Sequence, residues 1–291
     1  MNRRELLAGF GAFALPWPIA QEPALQLSRL DHIEFYVSNV EKSRDFFVRV
    51  FGGGTPLQRT LLSRNNKRYL KLGESYMAFE QPRGSNSEIK VDHVSVSIKG
   101  LDMPKLHTQL EQKGIAYQDY PSGRDTAVVD PDGIRLQLSP ENGWSLLNPA
   151  TFLPEDIPTT EAEIFRPLAL SSVLLNVKDT TTAVAFYQKI FGAPLPRDNG
   201  AVARMLGDNN TIWFSAGRSN IGLQQVSGGL KPGVHYFGVT VAGVPIDLRR
   251  RLEQLGAKVE PPADPGIRIS SDNIRFRDPD GTLIQVWGSD R

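Results

Sequence analysis

The sequence predicts an α+β fold built twice over in two domains. Two observations carry this. A strand-helix pattern at Leu30 to Gly52 returns at Leu170 to Gly192, and each copy leads into a second strand-helix unit that closes on an Asp-Pro-Asp-Gly turn and a strand. With 291 residues, 40% of them hydrophobic, the chain can bury one large core or two ordinary ones. Its 33 basic and 32 acidic side chains nearly cancel, which argues against the broad positive field of a nucleic-acid binder. There is no cysteine, so disulfides, thiolate nucleophiles and thiolate metal ligands are excluded. Any metal must be held by histidine, carboxylate or amide oxygen. No stretch approaches the roughly 20 apolar residues of a membrane-spanning helix.

Arg3 and Arg4 precede a short apolar segment from Leu6 to Ala20, the charge order of an export signal. The string Asn2-Arg3-Arg4-Glu5-Leu6-Leu7 resembles the twin-arginine type, whose cargo crosses the membrane folded. Residues 1–27 are therefore expected to be a signal and arm, and the mature protein is expected in the periplasm.

The first domain is expected over residues 28–140. In LDHIEFYVSNVEKSRDFFVRVFG, alternation puts Ile33, Phe35 and Val37 on one strand face, and Ser38 or Asn39 can cap the helix that follows. Phe46, Phe47, Val50 and Phe51 have the spacing of a helix's buried stripe, and Gly52 suits a left-handed residue after it. The second unit begins VDHVSVSIKGLDMPKLHTQLEQKG, with His107 expected on the helix surface, and ends VVDPDGIRLQLS. The second domain, residues 168–291, repeats this order. Val173, Leu175 and Val177 form its first strand face, Asp179 is its cap, Phe186, Tyr187, Ile190 and Phe191 are the buried stripe, and Gly192 follows. VHYFGVTVAGVPIDLRRRLEQLG and RFRDPDGTLIQVWG complete it; LEQKG and LEQLG differ at one position. The DPDG turns place proline and glycine where a tight turn needs them and carry no chemistry of their own. Residues 141–167 read as a linker long enough that parts of it should pack on the halves.

These motifs, in this order and repeated, resemble the vicinal oxygen chelate superfamily, which includes glyoxalase I, extradiol dioxygenases, fosfomycin-resistance enzymes and bleomycin-binding proteins. The resemblance rests on LDHIEFYVSNV with its FF..VFG helix, VDHVSVSIKG and DPDGIRLQL. It implies tandem paired βαβββ modules whose curved sheets form cups. It also implies metal ligands on the first strand of each unit and near the end of the last strand: His32, His93 and Gln137. Alternation supports the placement independently. If Ile33, Phe35 and Val37 face the helix, then His32, Glu34 and Tyr36 face the cup; if Val94, Val96 and Ile98 face the helix, His93, Ser95 and Ser97 face it too.

Members that bind a catalytic metal here normally present two histidines and a glutamate. Gln137 brings a neutral carbonyl instead, which suits either a weaker, more positive site or a retired one. Glu34 could supply the missing charge, act as general base, or simply pair with Arg135. Ala78 falls about where glyoxalase I would need a glutamate, with Glu80 next on that face. The second domain departs further: Ser172 stands at the position of His32, Tyr236 or His235 at that of His93, and Gln285 at that of Gln137. Two functions are thus expected as alternatives. One is divalent-metal chemistry, with Fe, Mn or Zn, of the extradiol or lyase/isomerase type on a small molecule with vicinal oxygens. The other is non-catalytic small-molecule binding of the bleomycin-resistance kind. Either is compatible with a monomer or a homodimer.

Overall fold

A computed structural model describes residues 25–52, 61–64, 66–82, 88–147, 153–154, 164–196, 210–243, 247–261 and 273–289. The expected export segment before Leu25 lies outside the described residues. Each half is a pair of strand-helix-strand units. In the first, β1 (Leu27–Tyr36), α1 (Val40–Phe51), β2 (Leu61–Arg64), β3 (Lys67–Leu72) and β4 (Ser75–Glu80) form one unit. The next is β5 (Lys90–Ile98), α2 (Met103–Gln112), β6 (Tyr117–Asp119), β7 (Thr126–Val129) and β8 (Arg135–Pro140). After a 3₁₀ turn at Gly143–Leu146 and a short β9 (Leu153–Pro154), the pattern restarts. It runs through β10 (Pro167–Val177), α3 (Thr180–Phe191), β11 (Ile212–Ala216) and β12 (Ser219–Gln225). The last unit is β13 (Gly233–Ala242), α4 (Leu248–Gln254), β14 (Lys258–Val259), β15 (Asn273–Arg277) and β16 (Leu283–Ser289). The architecture is the expected α+β fold in two domains.

Among the described residues the first half is a nine-stranded sheet, ordered β6-β7-β8-β5-β1-β4-β3-β2-β9, and the second a seven-stranded sheet, β11-β12-β10-β13-β16-β15-β14. At each centre the first strands of the two units run antiparallel, β1 with β5 and β10 with β13. Each is flanked by a parallel partner: β4 and β8 in the first half, β12 and β16 in the second.

Asn39 caps α1 by accepting from the Lys42 amide, and Asp179 caps α3 by accepting from the amides of Thr181 and Thr182. The glycines after these helices differ. Gly192 takes the expected positive φ of 81°, whereas Gly52 has φ −75° and is not left-handed. What Gly52 provides is room: a Cβ there would lie 2.4 Å from the Val48 carbonyl oxygen.

One apolar core runs through both halves. It takes in Ile33, Phe35 and Val37 from β1 and Val173, Leu175 and Val177 from β10, all almost fully buried. Phe35 stands at the junction, its ring 5.6 Å from Phe79 and 5.5 Å from Phe237 of the other half. The DPDG turns join the halves as well. Asp280 accepts from the Ser38 amide at 3.0 Å, and Asp132 accepts from the Lys178 amide at 2.8 Å. Each turn therefore holds the strand-helix junction of the opposite half.

The linker packs as expected where it is described. Trp144 and Leu147 lie on Tyr69, Tyr76 and Ala78, and Ile164 and Phe165 enter the core.

Candidate metal centre in the first half

The polar faces of β1, β5 and β8 line a cavity of about 730 Å³ that contains His32, Glu34, Tyr36, His93, Arg135 and Gln137. Four expected site residues thus share one cup. Ser95 and Ser97 face inward but are spent inside the sheet, Ser95 on Ser139 and Ser97 on the Arg29 carbonyl.

The two imidazoles meet with their Nε2 atoms 3.2 Å apart and their rings edge to face. Each Nδ1 is tied to the residue just before its own histidine: His32 to Asp31 Oδ2 at 2.9 Å, His93 to Asp92 Oδ2 at 2.8 Å. A carboxylate can only accept, so both Nδ1 atoms carry protons. Were both rings neutral, their Nε2 lone pairs would face one another, so the contact calls for a cation, proton or metal, between them. Two nitrogens about 2.1 Å from a common metal and 3.2 Å apart subtend roughly 100°, an angle suited to neighbouring ligands. Carboxylates behind histidines are also how proteins orient metal-binding imidazoles. The donor set fits a divalent ion.

Sequence reasoning missed Asp31 and Asp92. In a regular strand a residue adjacent to His32 would point to the other face. Here each lies in a break of register. β1 pairs Leu30 with Val96 and His32 with Ser95, leaving Asp31 extra; β5 pairs His93 with Glu34 and Val91 with Phe35, leaving Asp92 extra. Such bulges re-aim a side chain. The signal was present in the repeated Asp-His dipeptide of LDHI and VDHV.

Glu34 does not pair with Arg135 as one alternative had it. Its carboxylate lies 2.6 Å from Lys67 Nζ, which also reaches Glu80 at 3.1 Å, while Arg135 binds Asp92 at 3.1 Å. Strand parity could place Arg135 on the right face but could not show that β3, arriving from the other side of β1, brings a nearer cation. Burial works to raise the Glu34 carboxyl, but His93 and Lys67 beside it outweigh that and hold it below the ordinary carboxylate range. Glu34, Asp92 and His93 offer ligand atoms within 4.8 Å of one another. Asp92 is the weakest donor of these, since its Oδ2 already serves His93 and Arg135. Gln137 gives its amide nitrogen to Asp125 at 3.2 Å, which leaves Oε1 as its free donor. Ala78, fully buried beside Glu34, offers nothing. His107 is apart from the site on α2, 2.9 Å from Asp119 and stacked on Tyr117.

The second half keeps both bulges but not the donors. Ser171 and His235 take the extra positions, so Tyr236, not His235, is the counterpart of His93. Leu174, Trp213, Tyr236 and Leu283 fill the space with an apolar cluster. Gly222 makes room for it: a Cβ there would lie 2.8 Å from the Trp213 ring.

The comparisons with known proteins agree with this fold. Residues 169–286 match the sequence profile of the Glyoxalase/Bleomycin resistance protein/Dioxygenase superfamily. The matched segment is the half without the histidine pair. Among solved structures, the 2,3-dioxygenase LapB from Pseudomonas sp. KL28 is 17% identical, with a TM-score of 0.62 over 92% of this chain and 94% of that one. Homoprotocatechuate 2,3-dioxygenase from Arthrobacter globiformis is 16% identical, with a TM-score of 0.61 over 92% and 81%. The Mn(II)-bound glyoxalase from Novosphingobium aromaticivorans is 15% identical, with a TM-score of 0.60 over 91% and 83%. At these identities the likeness is one of fold. The profile match lies within the second half, and the tandem fold of the whole chain is the one these solved structures share.

Proposed function

We propose that the first half is a divalent-metal enzyme acting on a small molecule with vicinal oxygens, through extradiol-type oxygenation or lyase/isomerase chemistry. The observation that carries this is the pair of Nε2 atoms facing each other at 3.2 Å, each ring backed by its own aspartate. His32 and His93 would supply the nitrogens and the Gln137 carbonyl the third donor. Glu34 stands beside them with the negative charge that Gln137 lacks. When bound, Fe(II), Mn(II) or Zn(II) would polarise two neighbouring substrate oxygens and stabilise charge developing on them.

The chain's own residues supply the rest. Glu34, held ionised between Lys67 and the imidazoles, can accept a proton from a substrate hydroxyl or carbon acid; Lys67 keeps it oriented. Tyr69, Tyr76 and Tyr120 give the cup aromatic walls for a planar ring, and Arg124 at its mouth favours an anionic substituent. Leu146 and Leu147 cover one side and limit water.

The test is turnover. Protein loaded with Fe(II), Mn(II) or Zn(II) is offered catechols in an oxygen electrode and α-hydroxy carbonyl compounds in an isomerase assay. Activity with one metal and one class, lost in His93→Ala and strongly reduced in Glu34→Gln, supports the reading. A cup that binds these compounds equally well in His32→Ala and His93→Ala, without turnover, would favour simple binding.

A further inference from the structure

The buried carboxylate of Asp31 touches more than His32. While Oδ2 holds His32 Nδ1 at 2.9 Å, Oδ1 accepts from the backbone amide of Gly143 at 3.1 Å, across 112 residues of sequence. Gly143 opens the 3₁₀ turn that carries Trp144, Leu146 and Leu147, and the last two line the cup. The fit is close, since a Cβ at Gly143 would lie 2.3 Å from Asp31 Oδ2. The approach is fixed on both sides of the contact. Ser28 donates to Glu141 at 2.6 Å, Arg29 donates to Asn142 at 3.1 Å, and Asn142 takes a left-handed φ of 60°. A second route leads from His32 to the same segment: its ring stacks on Tyr76 at 4.4 Å, and Tyr76 packs on Trp144 at 5.8 Å. Asp92 makes no such link; its other partners are Arg135 and Tyr36.

We propose that Asp31 is a positioning residue that couples the His32 imidazole to residues 141–147, so that ordering of the histidine and closure of this flap over the cup are one event. The coupling rests on the metal-centre reading only for its use. With an ion in place, His32 is fixed, Asp31 is fixed with it, and the flap closes over whatever lies in the cup. His93 touches His32 through Nε2, but neither it nor Asp92 bonds the flap, so the two histidines are equivalent as donors and unequal as signals.

Hydrogen exchange of the full chain, purified without metal, separates them. His32→Ala should speed exchange of the 143–147 amides at least tenfold relative to wild type and leave α1 unchanged, whereas His93→Ala should leave the flap protected. His32→Gln, which nearly preserves volume, is measured alongside in case the alanine variant unfolds. A zinc titration is the second arm. Gly143→Ala touches neither histidine, yet it should weaken zinc affinity at least tenfold by displacing Asp31. Equal flap protection in the His32 and His93 variants would overturn the proposal, as would wild-type zinc affinity in a folded Gly143→Ala protein. If wild-type protein takes up no zinc, the metal reading of the site fails, and the exchange contrast alone decides the coupling.

Discussion

At the scale of single residues, the centre depends on two bulges as much as on two histidines. Each bulge swings an aspartate to the same side as the histidine after it, and that fixes both tautomers. Asp92→Asn should therefore weaken divalent-metal affinity about 10- to 100-fold without removing a ligand, because an amide leaves the His93 tautomer unset. Competition against a chelating dye checks this, with unchanged affinity as the contrary result. Strand parity was enough to put His32, Glu34 and His93 on inward faces from sequence, and the family resemblance placed Gln137 with them. Parity was not enough to find Asp31 and Asp92, because a bulge breaks the period on which parity relies. Lys67 was invisible for another reason: its contact with Glu34 depends on which strands become neighbours, not on spacing within one.

Among the elements, the DPDG turns carry a role that their composition does not disclose. Pro and Gly explain the bend, and the second aspartate of each turn then grips the other half. The first aspartate is buried and accepts from two backbone amides within its own turn. The copies differ in what covers it. Asp130 receives the Tyr187 hydroxyl at 3.1 Å, whereas α1 has Phe47 at the position that corresponds to Tyr187. Burial, opposed by the Thr282 amide, pushes the Asp278 carboxyl up to about 6 from its ordinary 3.8. A carboxyl whose pKa is higher folded than unfolded binds its proton more tightly in the native state. Its contribution is therefore fully present below pH 3.8 and is lost as the pH rises through about 6. Asp278→Asn keeps the amide-accepting oxygen and removes the charge. It should gain on the order of 2–3 kcal/mol at pH 7.5 relative to wild type and gain little at pH 4. Urea melts at both pH values measure it; an equal effect at the two would contradict the assignment.

For the whole molecule, the repeat made the fold legible and the shared core explains why the halves stay together. The sequence shows two similar halves, but which faces meet is set by packing. Phe35, read as a helix-facing residue of the first half, reaches Phe237 of the second. Phe35→Ala should cost about 3–5 kcal/mol and lower a single melting transition rather than expose two. Differential scanning calorimetry distinguishes these, since two resolved transitions would mean that the halves unfold independently.

The division of labour is legible at the same scale. One half keeps polar donors in its cup, and the other fills the equivalent space with Trp213, Leu174 and Leu283. The profile match falls on the filled half.

The most direct test is the stoichiometry of metal uptake. Chelator-treated protein, loaded anaerobically with Fe(II) and separately with Mn(II) and Zn(II), then desalted, should retain one ion per chain for at least one of them. His32→Ala and His93→Ala should each reduce that to near zero while Tyr236→Ala, in the second half, leaves it intact. Uptake that survives both histidine substitutions, or no uptake of any of the three ions, would contradict the account.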